Sequence, residues 1–206
     1  FCPTRCAYCS FVSRTVGKRT ELMTPYLEAL AKELSVTGEL LKKSGRTIRS
    51  VYIGGGTPTT LSAEQLDILI NKTKECFDLS KCIEFTVEAG RPDTITEDKL
   101  NVISKHGIGR ISINPQTMKD ETLKLIGRLH TVDDIREGFK IANRAGDFIV
   151  NADLIAGLPG ETPEDFKNTL EEVISLGPSN ITVHTLAVKR ASKLIEADES
   201  YHYKQA

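Results

Sequence analysis

Three cysteines near the start of the chain are the side chains best suited to chemistry. Cys2, Cys6 and Cys9 have the spacing C-x-x-x-C-x-x-C, so one short loop could carry three thiolates to a cluster of four irons. Clusters are usually held by four cysteine thiolates, so a three-thiolate set leaves one iron open to a cofactor or substrate. The alternative is a zinc site completed by a distant histidine or cysteine, although structural zinc ligands usually come as two separate pairs. The spacing therefore favours an iron–sulfur site.

The cysteine count also favours a metal site over a disulfide framework. The chain has five cysteines, an odd number, and three of them are crowded into the first nine residues. This pattern fits a metal site in a reducing compartment, so we expect a cytoplasmic protein. Cys76 and Cys82 remain, and their apolar surroundings predict that both are buried as small hydrophobic residues.

The composition predicts one globular domain. The chain has 206 residues, 39% of them hydrophobic, which is enough for a substantial core. The 27 basic and 28 acidic side chains give a net charge of −1, without the positive excess that non-specific nucleic-acid binding needs. No run of about 18 apolar residues is present, and the N-terminus lacks a basic segment followed by an apolar one. We therefore expect no membrane span, no signal peptide and no nucleic-acid partner.

Helical and strand patterns alternate along the rest of the chain. Capping residues before periodic apolar patterns predict helices that begin near Thr24, Ser62, Thr96, Thr131 and Thr162. Short β-branched and apolar runs predict strands at 48–53, 82–88, 110–114, 148–155 and 180–188. Repeated strand–helix units predict an α/β fold with a parallel sheet, either doubly wound or curled into a full or partial barrel.

Glycines and polar residues collect where the predicted strands end, which is the ligand-binding edge of parallel α/β folds. Gly54–Gly56 could expose backbone groups to a ligand or form an ordinary tight turn, and the segment lacks a P-loop lysine. Glu88 could accept hydrogen bonds from a ribose diol or form a strand-end salt bridge. Gln116 and Asp153 lie at the same edge, and Asp153 could instead pair with Arg128.

The histidines are less informative. His106 and His130 lie next to predicted helix ends, so we expect surface or capping roles for both. His184 lies within a predicted strand, where it could contact a substrate or be a core residue. We favour the core.

Six segments together resemble the radical S-adenosylmethionine (SAM) superfamily. CPTRCAYC, with an aromatic residue before its last cysteine, is similar to the superfamily signature. GGGTPT, VEAGRPDTI, SINPQTM, IGRLHT and NADLIAGLPGETPEDF follow in order and resemble the branch of oxygen-independent coproporphyrinogen III oxidase (dehydrogenase). The resemblance covers nearly the whole chain and implies a partial (β/α)6 barrel of parallel strands with outer helices. Because the chain begins inside the motif, we expect the first strand to lie upstream. We expect a core domain at 1–190 and the start of a C-terminal extension at 191–206.

The resemblance also implies the cofactors and their ligands. Cys2, Cys6 and Cys9 would bind a 4Fe–4S cluster. S-adenosylmethionine would be bound by Tyr8, Gly54, Gly55, Gly56, Thr57, Glu88, Gln116, Arg128, Asp153 and Ile155. In this set the glycine segment would contact the methionine amino group, and Ile155 and the backbone of Tyr8 would meet the adenine.

The activity implied by the resemblance is reductive cleavage of S-adenosylmethionine to methionine and a 5′-deoxyadenosyl radical, which abstracts hydrogen from a substrate. The cofactor performs this chemistry, so no catalytic acid or base is predicted. The expected substrate is coproporphyrinogen III, whose two propionates become vinyl groups in haem synthesis, and the expected electron donor is a flavodoxin or ferredoxin. Ser10-Phe11 occupies the place of an extra cysteine found in the well-studied coproporphyrinogen enzymes.

Two other functions remain open. A haem chaperone would keep the cluster and deliver haem to partner proteins, and Tyr201-His202-Tyr203 is a faint analogue of the histidine and aromatic residues in the chaperones' C-terminal region. A radical enzyme that acts on RNA is disfavoured by the near-neutral charge.

Overall fold

A computed structural model of the chain describes residues 1–12, 14–16, 20–187 and 192. The predicted domain boundary after residue 190, the predicted strand end at Val188 and the segment Tyr201–Tyr203 lie outside the described residues. The described elements, in chain order, are α1 (Met23–Lys43), β1 (Ser50–Ile53), α2 (Ala63–Cys76), β2 (Glu84–Glu88), α3 (Glu97–Lys105), β3 (Arg110–Gln116), α4 (Asp120–Leu125), α5 (Val132–Ala145), β4 (Ile149–Ala156), α6 (Pro163–Ser175) and β5 (Asn180–Thr185). No described helix is long and apolar enough to cross a membrane.

The five described strands form one parallel sheet in the order β1-β2-β3-β4-β5. A doubly wound sheet reverses its strand order at a switch point, and this sheet does not. Strands that follow one another in sequence order, each linked to the next by helices, are typical of a (β/α) barrel. The sheet is therefore a fragment of such a barrel, and of the two arrangements left open by the sequence the barrel is correct.

The helices pack on one face of the sheet, which is apolar. The fully buried core there combines strand and helix residues, among them Val87, Ile111, Ile113, Leu154, Leu100, Ile135 and Val173. Because side chains alternate along a strand, the residues between these strand positions point to the opposite, inner face. That face is polar, unlike the continuous apolar runs usual in parallel sheets.

Hydrogen bonds join the polar side chains of the inner face across the strands. Asn114 Nδ2 donates to Glu88 Oε1 at 3.1 Å, and Ser112 Oγ donates to Asn114 Oδ1 at 2.8 Å. Asn151 Nδ2 donates to Ser112 Oγ at 3.3 Å and to Asp153 Oδ1 at 2.7 Å. A satisfied network of this kind holds its members rigidly. It therefore fixes Glu88 and Asp153 at the edge of the sheet.

The predicted helix starts are mostly confirmed. Ser62, Thr131 and Thr162 each accept a hydrogen bond from the backbone N–H three residues later, in complete capping boxes. The prediction for α1 is wrong in detail, because a 3₁₀ turn leads directly into Met23 and Thr24 lies inside the helix. Helix α4 was not predicted, since six residues are too few to show a helical period.

Candidate functional site

The cysteine loop is held against the C-terminal edge of the sheet from two sides. Thr57 N donates to Phe1 O at 2.7 Å, which joins the loop to the glycine segment after β1. Ala7 N donates to Ile126 O at 2.9 Å, which joins it to the residue that follows α4. These contacts bring the three thiols to the cavity that the strand-end residues line.

Gly56 is required for the first of these contacts. A Cβ atom at this position would lie 2.1 Å from the Phe1 carbonyl oxygen and 2.6 Å from its nitrogen, so any side chain would displace backbone. We predict that Gly56→Ala lowers the free energy of unfolding by about 1–3 kcal/mol through overpacking and lowers iron incorporation. Denaturant unfolding measures the change in stability, and iron analysis measures the change in incorporation. Gly109→Ala is the control, since its Cβ would meet nothing within 4 Å, and equal iron contents in the two variants would contradict the prediction.

A cavity of about 420 Å³ lies between the loop and the sheet edge, a size usual for small-molecule sites. Of the thirteen residues expected to bind cluster or cofactor, twelve line it: Cys2, Cys6, Tyr8, Cys9, Gly55, Gly56, Thr57, Glu88, Gln116, Arg128, Asp153 and Ile155. The exception is Gly54, which borders a neighbouring cleft between α1 and β1. The structure thus brings residues from four strand ends and the cysteine loop to one cavity.

Two buried polar atoms of the cavity residues have no partner among the described residues. They are Gln116 Oε1 and Arg128 Nε. Gln116 also has a φ of 72°, a left-handed conformation that non-glycine residues adopt mainly at functional sites. Buried polar groups are normally hydrogen-bonded, so these two atoms fit a ligand that brings its own polar groups.

Arg128 is fixed by its other nitrogens. Nη1 donates to Asn114 O at 2.5 Å and to Gly90 O at 3.2 Å, and Nη2 donates to the Tyr8 hydroxyl at 3.0 Å. Within the described residues the Arg128 side chain does not pair with Asp153. Asp153 Oδ1 instead accepts a hydrogen bond from Asn151 Nδ2. The guanidinium therefore stays a buried cation without a carboxylate partner in the part of the chain described.

Tyr8 gives the cavity an apolar wall. Burial raises the pKa of the Tyr8 hydroxyl to about 12, so it stays protonated at neutral pH. Its ring packs against the cluster of Ile126, Ile155, Leu158 and Leu186. This wall suits a flat aromatic group.

Glu88 is the carboxylate most tightly held at the cavity. Besides the bond from Asn114, its Oε2 accepts a hydrogen bond from Gly55 N at 3.3 Å. Burial raises the pKa of Glu88, and the hydrogen bond from Gly55 opposes this only in part. Glu88 therefore takes up a proton at a higher pH than an ordinary glutamate.

If Glu88 holds the ribose of S-adenosylmethionine, as the resemblance implies, its raised pKa predicts a pH dependence of that binding. Only the ionised carboxylate can accept both hydrogen bonds of a ribose diol, so affinity should be full above the raised pKa of Glu88 and fall as the pH drops through it. The fall in affinity should therefore begin at a higher pH than the pKa of about 4.3 that is usual for glutamate. Equilibrium dialysis across pH measures it. Glu88→Gln should bind more weakly with no such fall, and a wild-type curve as flat as that of the variant would contradict the assignment.

The three cysteines differ in exposure. All are free thiols, with Cys6 buried and Cys2 and Cys9 half-buried. Within the described part of the chain, no group of three or more Cys, His, Asp or Glu side chains could hold a single metal ion. Thiolates that bind different irons of one cluster are spread further apart than the ligands of one ion. Cys76 and Cys82, predicted to be buried, are only half-buried and do not line the cavity.

Two histidine predictions are wrong. His184 is not a core residue: it is exposed, it is paired with Ile155 in the sheet register, and it lines the cavity. His130 is buried, at 2% exposure, with Nδ1 3.5 Å from Asp93 Oδ1. Burial lowers the pKa of His130, so the ring is neutral at pH 7. His106 lies at the end of α3, as predicted, with Nε2 2.8 Å from Asp67 Oδ1.

The sequence reasoning missed Arg91. This side chain is only 3% exposed, it lines the cavity, and its Nη2 lies 3.0 Å from Cys6 Sγ. The signal in the sequence that could have marked Arg91 as a candidate site residue was its position, three residues after the strand end at Glu88 and between a glycine and a proline.

Comparison with known proteins decides the family. The model of the Radical SAM superfamily matches residues 1–173. The chain belongs to the radical SAM superfamily. Members of this superfamily use a 4Fe–4S cluster and S-adenosylmethionine as cofactors.

Individual relatives of this radical SAM chain include haem-pathway proteins. It is 45% identical over 202 residues to the oxygen-independent coproporphyrinogen-III oxidase-like protein HemZ of Bacillus subtilis strain 168, covering 98% of this chain and 40% of that protein. It is 30% identical over 189 residues to the heme chaperone HemW of Escherichia coli K12, covering 92% of this chain and 49% of that one. The structure of coproporphyrinogen III oxidase HemN from E. coli superposes with a TM-score of 0.81 at 28% identity, covering 96% and 49%. The chain thus spans half or less of the length of these proteins.

Proposed function

We propose that the chain is the core of a radical SAM enzyme in which Cys2, Cys6 and Cys9 bind the 4Fe–4S cluster and the adjoining cavity binds S-adenosylmethionine. The observation that carries the proposal is the convergence of three free thiols, two carboxylates and two buried arginines on one cavity. Among the described residues Gln116 Oε1 and Arg128 Nε lack a hydrogen-bond partner, which supports a polar ligand there. When bound, the reduced cluster supplies the electron that cleaves S-adenosylmethionine.

The charges of the cavity suggest how S-adenosylmethionine is oriented. Arg128 is a buried cation whose Nε has no partner in the described part of the chain. It suits the methionine carboxylate, since charge-assisted hydrogen bonds are strong in a buried site. Glu88 and Asp153 are acceptors suited to the ribose hydroxyls, and the wall formed by Tyr8 and Ile155 suits the adenine. The Gly55–Thr57 backbone lies next to the cysteine loop, where the methionine amino group would meet it.

The remaining work of the protein is orientation and exclusion of water. No side chain of the cavity needs to donate or accept a proton for the cleavage, because the cluster and S-adenosylmethionine perform it. The apolar wall that Tyr8 and Ile155 form would shield one side of the reacting centre from water.

For the substrate we propose coproporphyrinogen III, with two propionates decarboxylated to vinyl groups and a flavodoxin or ferredoxin as electron donor. The names of HemZ and HemN support this assignment. Haem trafficking is the second candidate, favoured by the similarity to HemW and by Ser10-Phe11 at the place of the extra cysteine.

One experiment separates the two candidates. The full-length protein is reconstituted anaerobically with iron and sulfide, then given dithionite, S-adenosylmethionine and coproporphyrinogen III. An oxidase forms 5′-deoxyadenosine and a tricarboxylic or divinyl porphyrinogen, which chromatography with mass spectrometry detects. If no porphyrinogen product appears and haem binds stably, the chaperone is correct and the oxidase proposal fails.

A further inference from the structure

The buried guanidinium of Arg91 lies against the sulfur of Cys6. Arg91 and Cys6 are 3% and 7% exposed, so both groups are removed from water. Arg91 Nη2 donates to Cys6 Sγ at 3.0 Å. Among the described residues, Cys2 Sγ and Cys9 Sγ receive no such side-chain hydrogen bond, so the three thiols have unequal surroundings.

The same guanidinium also braces the cysteine loop. Nη2 donates to Thr4 O at 2.8 Å and Nη1 to Thr4 Oγ1 at 3.2 Å. Thr4 Oγ1 in turn donates to Gly127 O at 2.7 Å. The Arg91 carbonyl accepts from Thr94 N and Thr94 Oγ1, at 2.9 and 2.7 Å, which fixes the backbone that carries the guanidinium.

A guanidinium in this position would change the electronic properties of a bound cluster. Arginine cannot lose its proton in a protein, so the charge is permanent. Hydrogen bonds to the sulfurs and net charge set the reduction potentials of iron–sulfur clusters. Both effects are stronger in a buried site than in water, and both favour the more negative, reduced state.

We propose that Arg91 is a positioning residue that holds the Cys6 thiolate in place and raises the reduction potential of the cluster through the Nη2 to Sγ hydrogen bond. The inference rests on the proposed function, in which Cys2, Cys6 and Cys9 bind that cluster. Arg91 contacts the cysteine loop at Cys6 and Thr4, and it makes reduction by the electron donor easier.

The test is a redox titration of the anaerobically reconstituted full-length protein, followed by electron paramagnetic resonance without S-adenosylmethionine. Arg91→Gln removes the positive charge. Arg91→Lys keeps the charge but loses the planar guanidinium with its several N–H donors. Arg110→Gln is the matched control, because it removes the same charge at the start of β3, where Arg110 pairs with Glu84.

The expected result for Arg91→Gln is a shift of the reduction equilibrium of at least tenfold toward the oxidised cluster. For a one-electron couple this is a midpoint about 59 mV more negative. Arg91→Lys should shift less in the same direction, and Arg110→Gln should match the wild type. If Arg91→Gln does not retain iron, the midpoint potential of Arg91→Lys tests the inference in its place.

A wild-type midpoint in either Arg91 variant would overturn the inference, even if the iron content fell, because a purely structural brace would not change the potential of the cluster that remains. This failure is distinct from failure of the proposed function. In the latter case the wild-type protein itself would show no cluster signal that depends on Cys2, Cys6 and Cys9.

Discussion

Replacing Cys2, Cys6 and Cys9 together by alanine is expected to abolish binding of the 4Fe–4S cluster. The three thiols border one cavity, and the thiolate is the group that binds iron, so alanine leaves no ligand. Iron and sulfide analysis after anaerobic reconstitution measures the loss, and electron paramagnetic resonance of the reduced sample detects the cluster itself. The expected iron content is close to zero against about four irons per wild-type chain.

The chain contains a matched control for this change. Cys76 and Cys82 are also free thiols, half-buried and away from the cavity, so their replacement by alanine removes cysteine without touching the site. This double variant should keep the wild-type iron content. A triple variant that still binds four irons would show that the cluster lies elsewhere.

Arg128→Gln is expected to weaken S-adenosylmethionine binding by about ten- to a hundredfold. Hydrogen bonds to charged groups contribute about 1.5–3 kcal/mol, which corresponds to that range of affinity. The guanidinium is held in the cavity by Gly90 and Asn114. Its Nε, which has no partner among the residues that the structure describes, is the group that we assign to the methionine carboxylate. Anaerobic equilibrium dialysis with the reconstituted protein measures the change.

Arg136→Gln is the control for the lost positive charge. Arg136 lies on the exposed side of α5 and pairs with Asp133 and Glu172, and exposed ion pairs contribute little to stability, so its loss should leave both the fold and the affinity unchanged. Circular dichroism of both variants checks that the fold is kept. Unchanged affinity in a folded Arg128→Gln variant would mean that the arginine is only structural.

Local patterns predicted the strands and most helices because each is encoded in adjacent residues. Capping boxes at Ser62, Thr131 and Thr162 fixed three helix starts correctly. The choice between a doubly wound sheet and a barrel depends on which strands become neighbours, and periodicity within one strand carries no such information. The observed strand order, β1-β2-β3-β4-β5, identifies the barrel.

The candidate site could be predicted from the sequence only where motifs mark it. The sequence predicted a site at one edge of the sheet from the cysteine spacing and from the strand-end positions of Glu88 and Asp153. In the structure both carboxylates line the same cavity as the cysteines. The position of Arg91 after the strand end was visible in the sequence, but its contacts were not, because its partners Thr4 and Cys6 are more than eighty residues away. His184 was misassigned because a strand residue of an inner polar face cannot be told from a core residue by sequence alone.

The yield of 5′-deoxyadenosine shows most directly whether the cavity next to Cys2, Cys6 and Cys9 cleaves S-adenosylmethionine. The full-length protein, reconstituted anaerobically with iron and sulfide, is incubated with dithionite and S-adenosylmethionine, and the products are quantified by chromatography with mass spectrometry. We expect 5′-deoxyadenosine and methionine to form with the wild type and with the variant lacking Cys76 and Cys82. Neither should form with the variant lacking Cys2, Cys6 and Cys9. Equal yields from all three proteins, or no 5′-deoxyadenosine from a wild-type sample that carries its cluster, would contradict this expectation.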